Sequence, residues 1–95
     1  MITNNQLLKL KDRSSENIAK VRDVLLSMQG EIEFLRDLKV ETNIRDGASS
    51  YDILMIAQYN TMEDLDAYIV HPVHVEVAKY IASMLEISAV VCYES

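Results

Sequence analysis

From Ile53 to Ala57 the chain runs through five apolar residues without a break, and Tyr51 to Tyr59 as a whole has the length of a strand. In an extended chain successive side chains point to opposite faces, so this segment has no polar face to turn to water. It is read as a strand buried on both sides. A chain of 95 residues buries about two-thirds or less of its unfolded surface, so its own core is modest. The simplest cover for the second face is the same face of another copy, across a twofold axis.

The other elements follow from the same reading. Ile2 to Lys11 is a strand, with Leu8 and Leu10 on one side and Leu7 on the other. Arg13-Ser14-Ser15-Glu16 offers a capping hydroxyl and a first-turn acid, after which Ile18, Val21, Leu25 and Met28 recur at helical spacing. Gly30 takes the left-handed conformation cheaply and is expected to close that helix. Glu31 to Ile44 alternates through Ile32 and Phe34 and again from Leu38 to Ile44, so a bulge or bend near Leu35 to Asp37 is expected to join two halves of one strand. Arg45 to Ser50 reads as a loop. Thr61-Met62-Glu63-Asp64 resembles a capping box that opens a short helix to about Val70. Pro72 then forces a bend before a helix bearing Val75, Ala78, Ile81, Ala82 and Leu85.

Glu86 to Tyr93 reads as a last strand, with Ile87, Ala89, Val91 and Tyr93 on one face and Val90 and Cys92 on the other. The order β-α-β-β-α-α-β, without a repeat or a linker, predicts a single α+β domain over residues 1–95. Its layout is a four-stranded antiparallel sheet with helices on one face. The opposite face, apolar along two strands, is where a homodimer is expected to form.

Charge narrows the partners. Nine Lys and Arg against fifteen Asp and Glu give a net charge of −6, which repels phosphate backbones and anionic lipid, so no nucleic acid and no membrane surface is expected. The apolar runs are far short of the roughly 20 residues a bilayer span requires. Cys92 is the only cysteine, and no amino-terminal run pairs a basic start with a long apolar core, so a reducing, cytoplasmic setting is expected.

One stretch, Ala67-Tyr68-Ile69-Val70-His71-Pro72-Val73-His74, carries suggestive chemistry. Together with Lys9-Leu10-Lys11-Asp12, Ser50-Tyr51-Asp52, Asp66 and the terminal Tyr93-Glu94, it resembles the stress-responsive dimeric A/B barrel domains. The resemblance covers essentially the whole chain, and its distinctive part is the Tyr-x-x-His-Pro-x-His block. It implies a ferredoxin-like monomer whose sheet pairs with a second copy into a dimeric α+β barrel. It also implies a functionally mixed background: members linked to plant stress, members without known activity, and a plant polyketide cyclase that closes a ring by aldol-type chemistry. In that cyclase a tyrosine and the second histidine of the block act together, and these fall on Tyr68 and His74. The sequence departs from the family pattern at Asn4-Asn5-Gln6, where a histidine is common, at Glu41 in place of Gly, and at Cys92 in place of Asp.

The residues themselves allow that chemistry. Histidine titrates near neutrality, so His74 could take a proton from a carbon beside a carbonyl while Tyr68 donates a hydrogen bond to the developing oxygen anion. Both residues also have ordinary roles open to them, His74 at a helix start and Tyr68 with its ring in the core. His71, before the proline, could contact a ligand or cap the helix. No metal is expected at His71 and His74, because Glu76 is the only nearby third ligand and Pro72 distorts the spacing. No Gly-rich loop cradles a phosphate, and no cofactor is expected. Cys92 lies between apolar neighbours and reads as a buried, inert thiol.

Three functions stay open on one fold. The first is a dimeric barrel that binds a small apolar or polyketide-like ligand beside Tyr68, His71 and His74. The second is an enzyme using Tyr68 and His74 for acid–base cyclisation or related carbonyl chemistry. The third is a structural or stress-linked dimer without a ligand. A cavity opening onto both side chains would favour the first two.

Overall fold

A computed structural model describes all 95 residues. The elements are β1 (Ile2–Leu10), α1 (Ser15–Leu26), β2 (Asp37–Thr42), β3 (Ile53–Tyr59), α2 (Met62–Ile69), α3 (Pro72–Met84) and β4 (Leu85–Glu94). The strands form one antiparallel sheet in the order β2-β3-β1-β4, with β3 and β1 at its centre. This is the ferredoxin-like layout the sequence implied.

The register decides which residues share a face. Leu8 lies opposite Ile53 and Gln6 opposite Met55, while on the far side of β3 Val40 pairs with Met55 and Leu38 with Ala57. Directly opposed residues in antiparallel strands point the same way, so Leu8, Leu38, Val40, Ile53, Met55, Ala57 and Tyr59 form one face. All of them are buried against the helices. The other face carries Leu7, Leu54, Ile56, Ala89 and Val91, by the pairs Leu7 with Leu54 and Ala89, and Asn5 with Ile56 and Val91. In the single chain Leu54 and Ile56 are half-buried, and Val91 is 63% exposed. β2 contributes Asp37, Lys39 and Glu41 to this open face, so its apolar surface lies toward β4.

Local signals account for most boundaries. Ser14 caps α1 by accepting from the Asn17 N–H at 3.2 Å, and Thr61 caps α2 by accepting from the Asp64 N–H at 3.1 Å. Pro72 is the first residue of α3, where its missing N–H costs nothing. α3 runs directly into β4.

The stretch after α1 departs from expectation. The helix ends at Leu26, four residues before Gly30, and the chain stays in turns until β2 begins at Asp37. The Ser27 hydroxyl donates to the Val24 carbonyl and so competes with continued helix. Gly30 does take a positive φ of 82°, but within the turns. Ile32 and Leu35 are both buried, joined by a Leu35 N–H to Ile32 carbonyl bond of 3.1 Å. Their apolarity reflects core contact from a turn, so the break in alternation was the true start of β2 and no bulge is needed.

The β2–β3 loop is fastened rather than free. Buried Asp52 accepts from the Leu10 N–H and from Arg13 Nε, each at 2.9 Å. The same guanidinium donates to the carbonyls of Ser50 at 2.8 Å and Gly47 at 3.2 Å. A buried carboxylate needs such charge-assisted partners, which explains why the acid stands where β3 begins.

Candidate functional site

Between the sheet and the helices lies a cavity of about 170 Å³. Gln6 and Leu8 of β1 and Met55 of β3 form its floor, Met28 closes it beyond the end of α1, and Val77, Ala78 and Ile81 of α3 supply a wall. Tyr68 and His74 also line it. The geometry therefore brings together the two residues that the sequence singled out, from α2 and from the first turn of α3.

Local structure fixes both. α2 ends at Ile69, one residue after Tyr68, and α3 restarts at Pro72, so the short link turns His74 back toward α2. The rings of Tyr68 and His74 are 4.3 Å apart between centroids, tilted by 43°. His74 Nδ1 lies 2.9 Å from the Ile69 carbonyl oxygen. A carbonyl only accepts, so Nδ1 carries the proton in that contact, and in the neutral ring Nε2 is left with the lone pair.

Tyr68 is buried, and its hydroxyl donates to the Met28 sulfur at 3.7 Å, a weak acceptor. Burial pushes the Tyr68 phenol above the ordinary tyrosine range, while the nearby Tyr59 hydroxyl draws it partly back. Tyr59, from the end of β3, stacks its ring 5.0 Å from that of Tyr68 at a tilt of 56°. Its phenol is also pushed up, first by burial, then by the charge and hydroxyl of Tyr68, and last by Cys92.

His71 is not part of the cavity lining. Its Nδ1 accepts from the Val73 N–H at 3.2 Å and so caps α3. His71 gives its Nδ1 lone pair to the Val73 N–H, so in the neutral ring its Nε2 carries the proton, and of the two histidines only His74 keeps a free ring lone pair. No cluster of three His, Cys, Asp or Glu side chains is gathered anywhere in the molecule. Cys92 is exposed on β4, not buried between its apolar neighbours as the sequence suggested, because β4 is an edge strand that the helices do not cover.

Two residues of this region were not among the site residues expected from the sequence, although Gln6 lies in the Asn4-Asn5-Gln6 stretch noted as a departure from the family pattern. Gln6 sits on the helix face of β1 in phase with Leu8 and Leu10 and lines the cavity. A polar residue at an apolar phase was the available signal. Tyr59 looked like one more apolar residue of β3, and only its partnerless hydroxyl sets it apart.

A larger hollow of about 380 Å³ lies at the rim of the open face, walled by Leu7, Leu54, Glu41, Ile44 and Tyr51. It holds neither histidine and is more open to solvent. The smaller cavity is less open to solvent and is lined by Tyr68 and His74, which makes it the better candidate for selective binding.

Comparison with known proteins agrees with this architecture. The model of the Stress responsive A/B Barrel Domain matches residues 2–95. A dimeric protein of unknown function and ferredoxin-like fold from Bacteroides fragilis NCTC 9343 is 24% identical, with a TM-score of 0.82, over 99% of this chain and 95% of its own. At3g17210 from Arabidopsis thaliana is 21% identical, with a TM-score of 0.86, over 100% and 95%. Hydroxynitrile lyase from Passiflora edulis is 16% identical, with a TM-score of 0.83, over 97% and 90%. At such identities the likeness is one of fold. Among curated proteins no sequence match is found.

Proposed function

The chain belongs to the stress responsive A/B barrel domain family, and on that basis we propose that it acts as a homodimer in which each subunit holds one small, largely apolar ligand beside Tyr68 and His74. The observation that carries this reading is the cavity of about 170 Å³, mostly apolar and opening onto both residues. An aliphatic cavity of about 150 Å³ takes benzene. The size therefore suits one six-membered ring with a small polar group, such as a single ring of polyketide type, rather than an extended chain. His71 supports the site from outside by holding the start of α3 and with it His74.

The homodimer rests on the open face, where Leu7, Ile87, Val91 and Tyr93 are exposed. A single chain gains nothing by leaving such a patch to water. A cytoplasmic setting suits Cys92, exposed and unpaired.

A catalytic reading is favoured by one contact. With Nδ1 bonded to the Ile69 carbonyl, Nε2 of a neutral His74 is the basic nitrogen. It could take a proton from the carbon beside a ligand carbonyl, and Tyr68 could donate to the oxygen as negative charge develops there. Removal of that proton is also the first step of an aldol ring closure.

Cyclohexanone tests both readings with one set of samples. It should shift the methyl resonances of Val77 and Ile81, and Ala78→Leu, which fills the cavity, should weaken binding more than about tenfold. Binding that survives Ala78→Leu would place the ligand elsewhere. In D2O the bound ketone should exchange its α-hydrogens with the wild-type protein and not with His74→Ala. Binding without exchange would leave a binding protein only.

A further inference from the structure

Tyr59 is fully buried, 0% exposed, and its hydroxyl has no hydrogen-bond partner. A buried hydroxyl left unpaired costs about 1–3 kcal/mol, and a phenylalanine would fill the same space without that cost. Its ring lies 5.0 Å from that of Tyr68. Tyr68 in turn gives its proton only to the Met28 sulfur, at 3.7 Å. Two buried phenols thus lie side by side, one with no acceptor and one with a poor one, and the second opens on the cavity.

We propose that Tyr59 is a positioning residue for Tyr68: when Tyr68 turns its proton from Met28 to a ligand oxygen, the Tyr59 hydroxyl donates to the Tyr68 oxygen. This rests on the cavity reading above and deepens it by naming the ligand class. A phenol that accepts a hydrogen bond becomes a stronger donor, because chains of hydrogen bonds polarise one another. The gain is largest where the acceptor carries negative charge. The site therefore selects small rings bearing a carbonyl or an oxygen anion over hydrocarbons of the same shape. The downward pull of Tyr59 on the Tyr68 phenol agrees with this direction of donation.

The test compares cyclohexanone with methylenecyclohexane, which replaces the carbonyl oxygen by a CH2 group, on the wild type and on Tyr59→Phe. The wild type should prefer the ketone, and Tyr59→Phe should reduce that preference about fivefold or more while still binding the hydrocarbon. A second readout needs no ligand. With 3-fluorotyrosine incorporated, the fluorine resonance of Tyr68 should titrate at higher pH in Tyr59→Phe than in the wild type. A purely structural Tyr59 would change the stability of the protein but neither of these. An unchanged preference together with an unchanged Tyr68 titration overturns the proposal and leaves the cavity reading standing. Failure of both probes to bind the wild type overturns the two together.

Discussion

The two faces of the sheet are built from the same strands and solve opposite problems. On the helix face, Leu8, Leu10, Ile53, Ala57 and Tyr59 are each 1% exposed or less. On the other face, Val91 at 63% and Ile87 at 52% stand in the open. One side is a finished core with a small pocket left in it, and the other is an apolar surface that one chain does not complete. Hydrophobicity alone therefore does not say what a residue of this protein does. The face it sits on decides whether its loss is felt in folding, in association or in binding.

Substitutions should separate these outcomes. The largest effect belongs to the helix face, where Leu10→Ala should lower unfolding free energy by about 2–5 kcal/mol, measured by urea denaturation at one protein concentration. Val91→Ala should cost the isolated subunit little, and equal losses from the two would erase the distinction between faces. Next in size, Val91→Asp should weaken self-association by about 2 kcal/mol, roughly thirtyfold, by placing a charge in an apolar interface. Sedimentation should then show monomer where the wild type shows dimer, with a circular dichroism spectrum unchanged. An intact dimer would mean that the subunits meet elsewhere.

The smallest effect is a pH dependence confined to the covered face. Tyr59 and Tyr68 hold their protons in the folded chain to higher pH than the ordinary value of 10.0. Above about pH 10 the unfolded chain has released these protons while the folded chain keeps them, so stability falls as pH rises, by at most about 1.4 kcal/mol per pH unit for each phenol and only until that phenol ionises in the folded chain. Below that range the two phenols contribute no pH dependence. Tyr59→Phe should remove one share of the slope in urea melts between about pH 9 and 11. An unaltered slope would show that Tyr59 is not held protonated.

Much of this contrast was legible in the sequence. The unbroken run in β3 announced that both its faces would be apolar, and the capping residues Ser14 and Thr61 marked helix starts that the structure reproduces. The resemblance carried by the block around Pro72 paired Tyr68 with His74, and the structure brings their rings together. What stayed hidden depends on contacts between distant segments. Ile32 and Leu35 look like strand residues because alternation cannot distinguish a pleat from a turn whose apolar residues dip into the core. The exposure of Cys92 depends on where α3 lies over the sheet, which no local pattern encodes. The orphaned hydroxyl of Tyr59 is likewise a property of its surroundings.

The clasp made by Arg13 joins what the sheet divides. Its guanidinium belongs to the segment that leads into α1, yet it grips Gly47 and Ser50 in the loop beside the open-face hollow. α1 carries Leu25 into the lining of the inner cavity. One side chain and one helix therefore tie the loop beside the open face and the wall of the inner pocket to the same frame.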